Sequence, residues 1–234
     1  MIRHYSRNAW LTYLPSPEGV AVTGDEIEEI FFAHMPVRLT ERLLRAVFAS
    51  HKVAAEECRA NYKPPEADNI VGFCRRASLE GFMRDAAEME GVAASVVRSR
   101  MSNWNHTELR SGPVILTASS VQGPCDLVEE SEFRSTLARS NQGVLWPEPG
   151  DEPEPGSPLY AILLHSKGRL PQALKGYLPG SAYVAFPLPD LSGYAHEINL
   201  FDKFPHVVDS LLPQEWDEEA KIRYLRSARK VITA

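Results

Sequence analysis

Cysteine is scarce in this sequence, and long apolar runs are missing. The three cysteines, Cys58, Cys74 and Cys125, are odd in number and far apart along the 234 residues. They form neither a disulfide framework nor a CxxC metal clip, so we expect thiols that stay reduced in the cytoplasm. No run approaches the roughly 18 apolar residues of a membrane helix, and the N-terminus lacks the apolar segment of a signal peptide. The sequence therefore predicts a cytoplasmic protein that does not enter a membrane.

The common catalytic motifs are also missing. The sequence has no HExxH, no GxSxG and no paired-Asp motif, and the first two of these mark zinc proteases and serine hydrolases. The nuclease-like pattern of an acidic residue followed by Glu-x-Lys on a neighbouring strand does not occur either. We therefore predict no cofactor and no metal, and the sequence leaves open whether the protein is an enzyme.

The charge is negative and unevenly distributed. The net charge is −6, yet residues 38–110 carry 12 basic and 10 acidic side chains, so this is the one sizeable part that is not acidic. A polyanion would be expected to bind there. Residues 143–158 are acidic and rich in proline and glycine, which predicts an exposed loop because such a segment buries little apolar surface.

Three apolar runs in the C-terminal half are typical of β-strands. They span 159–165, 182–188 and 196–201, and Gly- and Pro-rich turns bound them. The first has no polar residue over 161–164, which indicates a central strand covered on both faces. The third alternates apolar and polar residues, as an edge strand with one wet face does. A further strand is predicted over 114–121, where β-branched residues follow a Ser-Gly-Pro turn.

Helical periodicity dominates the N-terminal half. Thr23 and Glu26 have the spacing of a capping box, which predicts a helix start. Apolar spacing predicts a long helix over 39–61 that ends before a Pro-Pro pair, and Asn69 is predicted to cap the next helix.

Together these elements predict an α+β fold. Helices over 24–104 would pack against a small, mostly antiparallel sheet of about four strands, with further helices over 129–140 and 217–230. We divide the chain into a mainly helical region, 1–110, and an α+β region, 111–234.

Residues 83–104 resemble a helix-turn-helix, a DNA-binding motif. Small Ala87 would lie where the two helices touch, Gly91 would make the turn, and 93–104 would be the recognition helix. In that family the second helix enters the major groove, where arginine reads guanine and asparagine reads adenine. The residues that this helix would offer to DNA are Ser95, Arg98, Ser99, Arg100 and Asn103.

The resemblance departs from the motif at two positions. Glu90 stands where an apolar residue usually precedes the turn glycine, and Arg100 stands where the second helix should present an apolar residue. Two packed helices joined at a glycine C-cap, with no role in DNA binding, are therefore the competing interpretation.

A second group of polar residues could carry chemistry. His106 and Glu108 are two apart, so in an extended segment both would lie on one face and could supply a metal ligand and a general base. A turn in which the Asn and His side chains bond the backbone is the favoured alternative. His165, at the end of the central strand, is the other candidate for such a site. It could also converge with His196 and His206 on zinc, although their spacing does not demand this.

The function predicted from these patterns is binding or regulation in the cytoplasm, with duplex DNA bound through the helix-turn-helix segment. The first alternative is a hydrolase or nuclease that works at His106 and Glu108 or at His165. The second is a protein-interaction module that presents the acidic loop or the edge strand to a protein partner. Binding to DNA would weaken with salt and need no metal, whereas a hydrolase needs a pocket where histidines and carboxylates converge.

Overall fold

The computed structural model describes residues 22–98, 105–123, 126–145, 158–167 and 177–229. The helices are α1 (Gly24–His34), α2 (Val37–Asn61), α3 (Glu66–Met89), α4 (Glu132–Arg139), α5 (Asn141–Leu145), α6 (Leu200–Lys203), α7 (Pro205–Leu211) and α8 (Glu218–Arg229). The strands are β1 (Ala93–Arg98), β2 (Asn105–Ser111), β3 (Val114–Val121), β4 (Leu159–Lys167), β5 (Pro179–Pro187) and β6 (Tyr194–Asn199).

The described strands form one six-stranded sheet in the order β1-β2-β3-β4-β5-β6. β3 and β4 run parallel, whereas each of the other neighbouring pairs is antiparallel. The predicted α+β fold with a mostly antiparallel sheet is confirmed. The apolar run at 159–165 forms the central strand β4, and the alternating run forms β6 at an edge of the sheet.

Each face of the sheet has its own apolar core. On one face Leu116 and Leu163 pack with residues of α1, α2 and α3, and we call this the helical face. On the other face Ile162 packs with Ala138 of α4, and we call this the α4 face. Because side chains alternate along a strand, the odd and even residues of β4 belong to different faces.

The sheet begins earlier in the chain than the sequence predicted. β1 and β2 lie within the predicted helical region 1–110, and the proposed boundary near Ser111 falls at the end of β2. The sequence NHTELRS of β2 has little apolar alternation because one of its faces buries polar side chains, His106 and Glu108. A pattern search for apolar residues therefore overlooks this strand.

The predicted recognition helix is wrong. α3 ends at Met89 and Gly91 turns the chain with a φ of 68°, but the residues that follow form β1 instead of a helix. Val96 and Val97 are β-branched and favour a strand. β1 pairs with β2 over its whole length, and these interstrand hydrogen bonds replace those that a helix would have made.

The five residues predicted to contact DNA are accordingly not arranged on one helix. Ser95 and Arg98 are exposed residues of β1. The other three, Ser99, Arg100 and Asn103, lie outside the described residues.

The other helices differ from their predicted bounds in informative ways. The capping box at Thr23 is present. Asn69 does not cap α3, which begins at Glu66 directly after the Pro-Pro pair, because proline is tolerated at a helix start. Part of the predicted loop 143–158 belongs to α5, and residues 146–157 lie outside the described residues. Within the described ranges, no helix is long and apolar enough to cross a membrane.

The position of Leu163 leads to a stability prediction. Its side chain is fully buried in the central strand, so Leu163→Ala should lower the free energy of unfolding by about 2–5 kcal/mol. Chemical denaturation of the variant and parent measures this difference. Val96→Ala, on exposed β1, is the control and should cost less than about 1 kcal/mol. A Leu163→Ala variant as stable as the parent would contradict a central position for β4.

Candidate functional site

The polar residues of interest gather where β3 and β4 end. Because these strands are parallel, Val121 and Lys167 lie at the same end of the sheet. β2 is antiparallel to β3, so Asn105 at its start lies at this end as well. We call this the carboxyl end of the parallel pair, and in sheets with parallel strands it is a common place for ligands to bind.

His106 and Glu108 lie side by side on the α4 face. Their Nε2 and Oε1 atoms are 3.1 Å apart, and both side chains are buried. The other carboxylate oxygen of Glu108 accepts a hydrogen bond of 2.6 Å from Arg110, and the His106 ring stacks on Phe133 at 4.0 Å between centroids. The segment is thus extended and not the turn that we favoured from the sequence.

Thr117 and Tyr160 extend this polar group across β3 and β4. Their hydroxyl oxygens are 2.8 Å apart and both side chains are buried. Burial raises the pKa of Tyr160 to about 12, while the Thr117 hydrogen bond and the charge of Arg134 act in the opposite direction. We call His106, Glu108, Thr117, Tyr160 and Arg134 the α4-face cluster.

Arg134 brings a positive charge to the α4-face cluster and forms no ion pair with any residue that the structure describes. Its guanidinium donates to Oγ of Ser119 at 3.1 Å and to the carbonyl of Glu129 at 2.7 Å, which are both neutral acceptors. Its Nε is buried and makes no hydrogen bond. Burial lowers the pKa of Arg134, because the charged form loses its hydration.

His165 lies on the opposite face from His106 and Glu108. It pairs with His51 of α2, with 3.1 Å between His51 Nε2 and His165 Nδ1, and both rings are buried. Burial, followed by the charge of Arg75, lowers the pKa of His165 to about 3. The pKa of His51 is also lowered, first by burial and then by Arg75, His165 and Lys167. Both imidazoles are therefore neutral at physiological pH.

Two consecutive arginines of α3 reach towards this end of the sheet. Arg75 is only 2% exposed and its Nε has no hydrogen-bond partner. Arg76 donates to the backbone carbonyl of Asn105 at 3.3 Å, and its charge lowers the pKa of Arg134. Glu80 bonds the backbone N–H of Thr107 and holds α3 against β2.

The remaining predicted site residues have separate partners. His196 lies 3.6 Å from Glu28, and exposed His206 lies 3.2 Å from Glu41. These two histidines and His165 do not come together. Across the described ranges, no group of three or more His, Cys, Asp or Glu side chains is arranged to hold a metal ion.

The sequence analysis missed His51, Arg75 and Arg134. A signal was present for Arg75, because it continues the buried positions Leu79 and Met83 of α3 at a spacing of four residues. An arginine within an apolar helical stripe indicates a charge directed into the interior. The sequence could not indicate what this charge meets there.

Comparison with known proteins gave no match to a family model, to a curated protein or to a solved structure.

The buried histidine pair predicts a pH dependence of stability. In the unfolded chain a histidine titrates near pH 6.5, whereas folded His165 titrates near pH 3. Between these pH values His165 is protonated in the unfolded chain and neutral in the folded one. Its contribution to the free energy of unfolding is therefore fully present above about pH 6.5 and is lost as the pH falls towards 3. The slope for one such histidine approaches about 1.4 kcal/mol per pH unit.

Chemical denaturation between pH 7.5 and 4.5 measures this slope. We expect His165→Gln to have a shallower dependence than the parent by up to about 1.4 kcal/mol per pH unit. His206→Gln is the matched control, because His206 is exposed, and it should keep the slope of the parent. Parallel curves for His165→Gln and the parent would contradict a neutral, buried His165.

Proposed function

We propose that this chain is a cytoplasmic binding or regulatory protein whose ligand is a nucleic acid, bound through its phosphates at the carboxyl end of the parallel pair. The observation that supports this most is Arg134, a largely buried cation whose hydrogen-bond acceptors among the described residues are both neutral. Removing a charge from water is costly unless an anion offsets the loss. A phosphate oxygen is a suitable acceptor for guanidinium N–H groups.

The charge around this end of the sheet also supports an anionic ligand. Arg76 and Lys167 lie at the same end as Arg134. The stretches 99–104 and 168–176, which lie outside the described residues, contain Arg100, Arg169 and Lys175 and no acidic residue in the sequence.

The mode of binding differs from the one that the sequence predicted. With β1 in place of a recognition helix, no helix at 93–98 can enter the major groove. Contacts to phosphates from strand ends and connections position a protein on nucleic acid but do not read its sequence. We therefore propose binding that depends strongly on salt and weakly on base sequence.

Arg134→Met tests this proposal. We expect about tenfold weaker binding to a short duplex at low salt, and a salt dependence whose slope is smaller by about one unit for one lost phosphate contact. Arg139→Met is the matched control, because Arg139 is an exposed residue of the same helix and its substitution removes the same charge. Titrations by fluorescence anisotropy at several salt concentrations measure both quantities.

Two results would overturn the proposal. One is a parent protein that does not bind duplex or single-stranded DNA or RNA at low salt. The other is an equal loss of affinity in Arg134→Met and Arg139→Met, which would indicate attraction by net charge and no contact by Arg134.

The pairing of His106 with Glu108 favours hydrolysis as a second candidate function. A carboxylate that accepts the proton of Nε2 leaves Nδ1 as the basic nitrogen, which is the arrangement of a histidine general base. In this proposal His106 removes a proton from water, Glu108 orients the imidazole, and Arg134 holds the anionic group of the substrate. Phe133 restricts the motion of the ring by stacking on it.

A phosphodiester with a nitrophenyl leaving group tests for this activity. His106→Gln should lower the rate by about 10²–10⁴-fold, which is the usual contribution of a general base. Glu108→Gln should lower it less, and His206→Gln should leave it unchanged because that histidine is exposed and bonded elsewhere. An inactive parent, or a fully active His106→Gln variant, would exclude His106 as the base.

A further inference from the structure

We infer that Arg75, His51 and His165 form a second site, on the helical face, that binds a small oxyanion such as inorganic phosphate or sulfate. This inference goes beyond the proposed nucleic-acid binding, because it concerns other residues on the opposite face of the sheet. We call these three residues the Arg75 site.

The first argument is the buried guanidinium of Arg75, whose Nε has no acceptor. Arg75 is 2% exposed, and its Nε is buried without a hydrogen bond. Burial lowers the pKa of Arg75, but an arginine keeps its proton under all conditions in which the protein is folded. A buried positive charge without a counterion is strongly unfavourable. Among the described residues, the fold thus leaves Nε of Arg75 without an acceptor, and we infer that an anion from solution supplies one.

The second argument is the character of the neighbouring groups. The charge of Arg75 lowers the pKa of both His51 and His165, and Lys167 lies close enough to act on His51 in the same way. The thiol of Cys58 favours the charged form of Arg75, but burial raises the pKa of this thiol to about 11, so that it stays neutral. Among the described residues, no carboxylate forms an ion pair with Arg75.

The third argument is a second donor without an acceptor. Nδ1 of His51 is buried and makes no hydrogen bond. The backbone carbonyl of Leu178 favours protonated His51, but it does not meet the geometry of a hydrogen bond to Nδ1. If Nδ1–H of His165 donates the hydrogen bond to Nε2 of His51, then the single ring proton of neutral His51 is on its Nδ1. Arg75 and His51 would then both offer an N–H group to an anion.

The burial of the Arg75 site favours a small ligand. All three side chains are at most 2% exposed, so we expect a bulky phosphate ester to require a larger opening of the packing of α2 and α3 on the sheet than a free oxyanion does. A tetrahedral oxyanion presents several acceptors to a guanidinium, which binds such oxygens in pairs. Chloride presents one charge and no such geometry, and it serves as the comparison ion.

Thermal unfolding in phosphate and in chloride, at equal pH and ionic strength, tests the inference. We expect inorganic phosphate to raise the melting temperature by about 3 °C at a tenfold excess over its Kd. A nucleoside monophosphate at the same concentration should raise it less, because the ester requires a larger opening of the packing. Equal melting temperatures in phosphate and chloride would overturn the inference, and so would a larger effect of the monophosphate.

Two variants locate the ion. The phosphate effect should disappear in Arg75→Met and persist in Arg134→Met, which changes only the α4-face cluster. Loss of the effect in Arg134→Met with retention in Arg75→Met would place the ion on the other face and overturn the inference. The two proposals can thus fail independently, since nucleic-acid affinity is measured with Arg134→Met alone.

A measurement on the parent protein covers the case in which Arg75→Met does not fold. Addition of inorganic phosphate should shift the imidazole ¹⁵N resonances of His51 and His165 in an NMR spectrum, and leave those of exposed His206 in place. Shifts of His206 without shifts of the buried pair would show binding at the surface and overturn the inference.

Discussion

The parallel pairing of β3 with β4 is the constraint on which the rest of the structure depends. A parallel pair cannot be joined by a tight turn, so the chain must cross over one face of the sheet between the two strands. The described part of this crossover contains α4, which covers the α4 face, and α5, whose Val144 and Leu145 pack in the core of the helical face. The opposite face is left for α1, α2 and α3, which pack on it through Leu116 and Leu163.

The same pairing brings the polar residues to one end of the molecule. Because β3 and β4 end together, the start of β2, the end of β4 and the carboxyl end of β3 are neighbours. Alternation along the strands then divides their side chains between the faces. His106 and Glu108 lie on the α4 face, where Arg134 bonds Ser119, whereas His165 pairs with His51 on the helical face and is affected by the charge of Arg75.

Buried arginines distinguish this end from the rest of the core. Most of the core is apolar, and polar groups in it are usually paired, as Asn141 is with the backbone of Tyr160 and Pro187. Arg75 and Arg134 differ, because each keeps a buried Nε without an acceptor. An unpaired charge lowers stability, and our two proposals give these charges a role as ligands for anions. Protein-partner binding through the β6 edge remains a prediction that these residues do not address.

Local patterns in the sequence determined much of the framework. The capping box at Thr23, the long helix α2, the central strand β4 and the edge strand β6 all follow from propensity and periodicity, which act over a few neighbouring residues. The spacing of His106 and Glu108 also indicated that they would share a face if the segment were extended. The tertiary structure decided that it is extended, because β2 is held between β1 and β3. It likewise made β1 a strand where the sequence resembled a recognition helix, since pairing with β2 supplied hydrogen bonds from residues outside the local window. The electrostatic effect of Arg75 on a histidine of α2 and another of β4 depends on segments far apart in the chain, so only packing could bring these residues near one another.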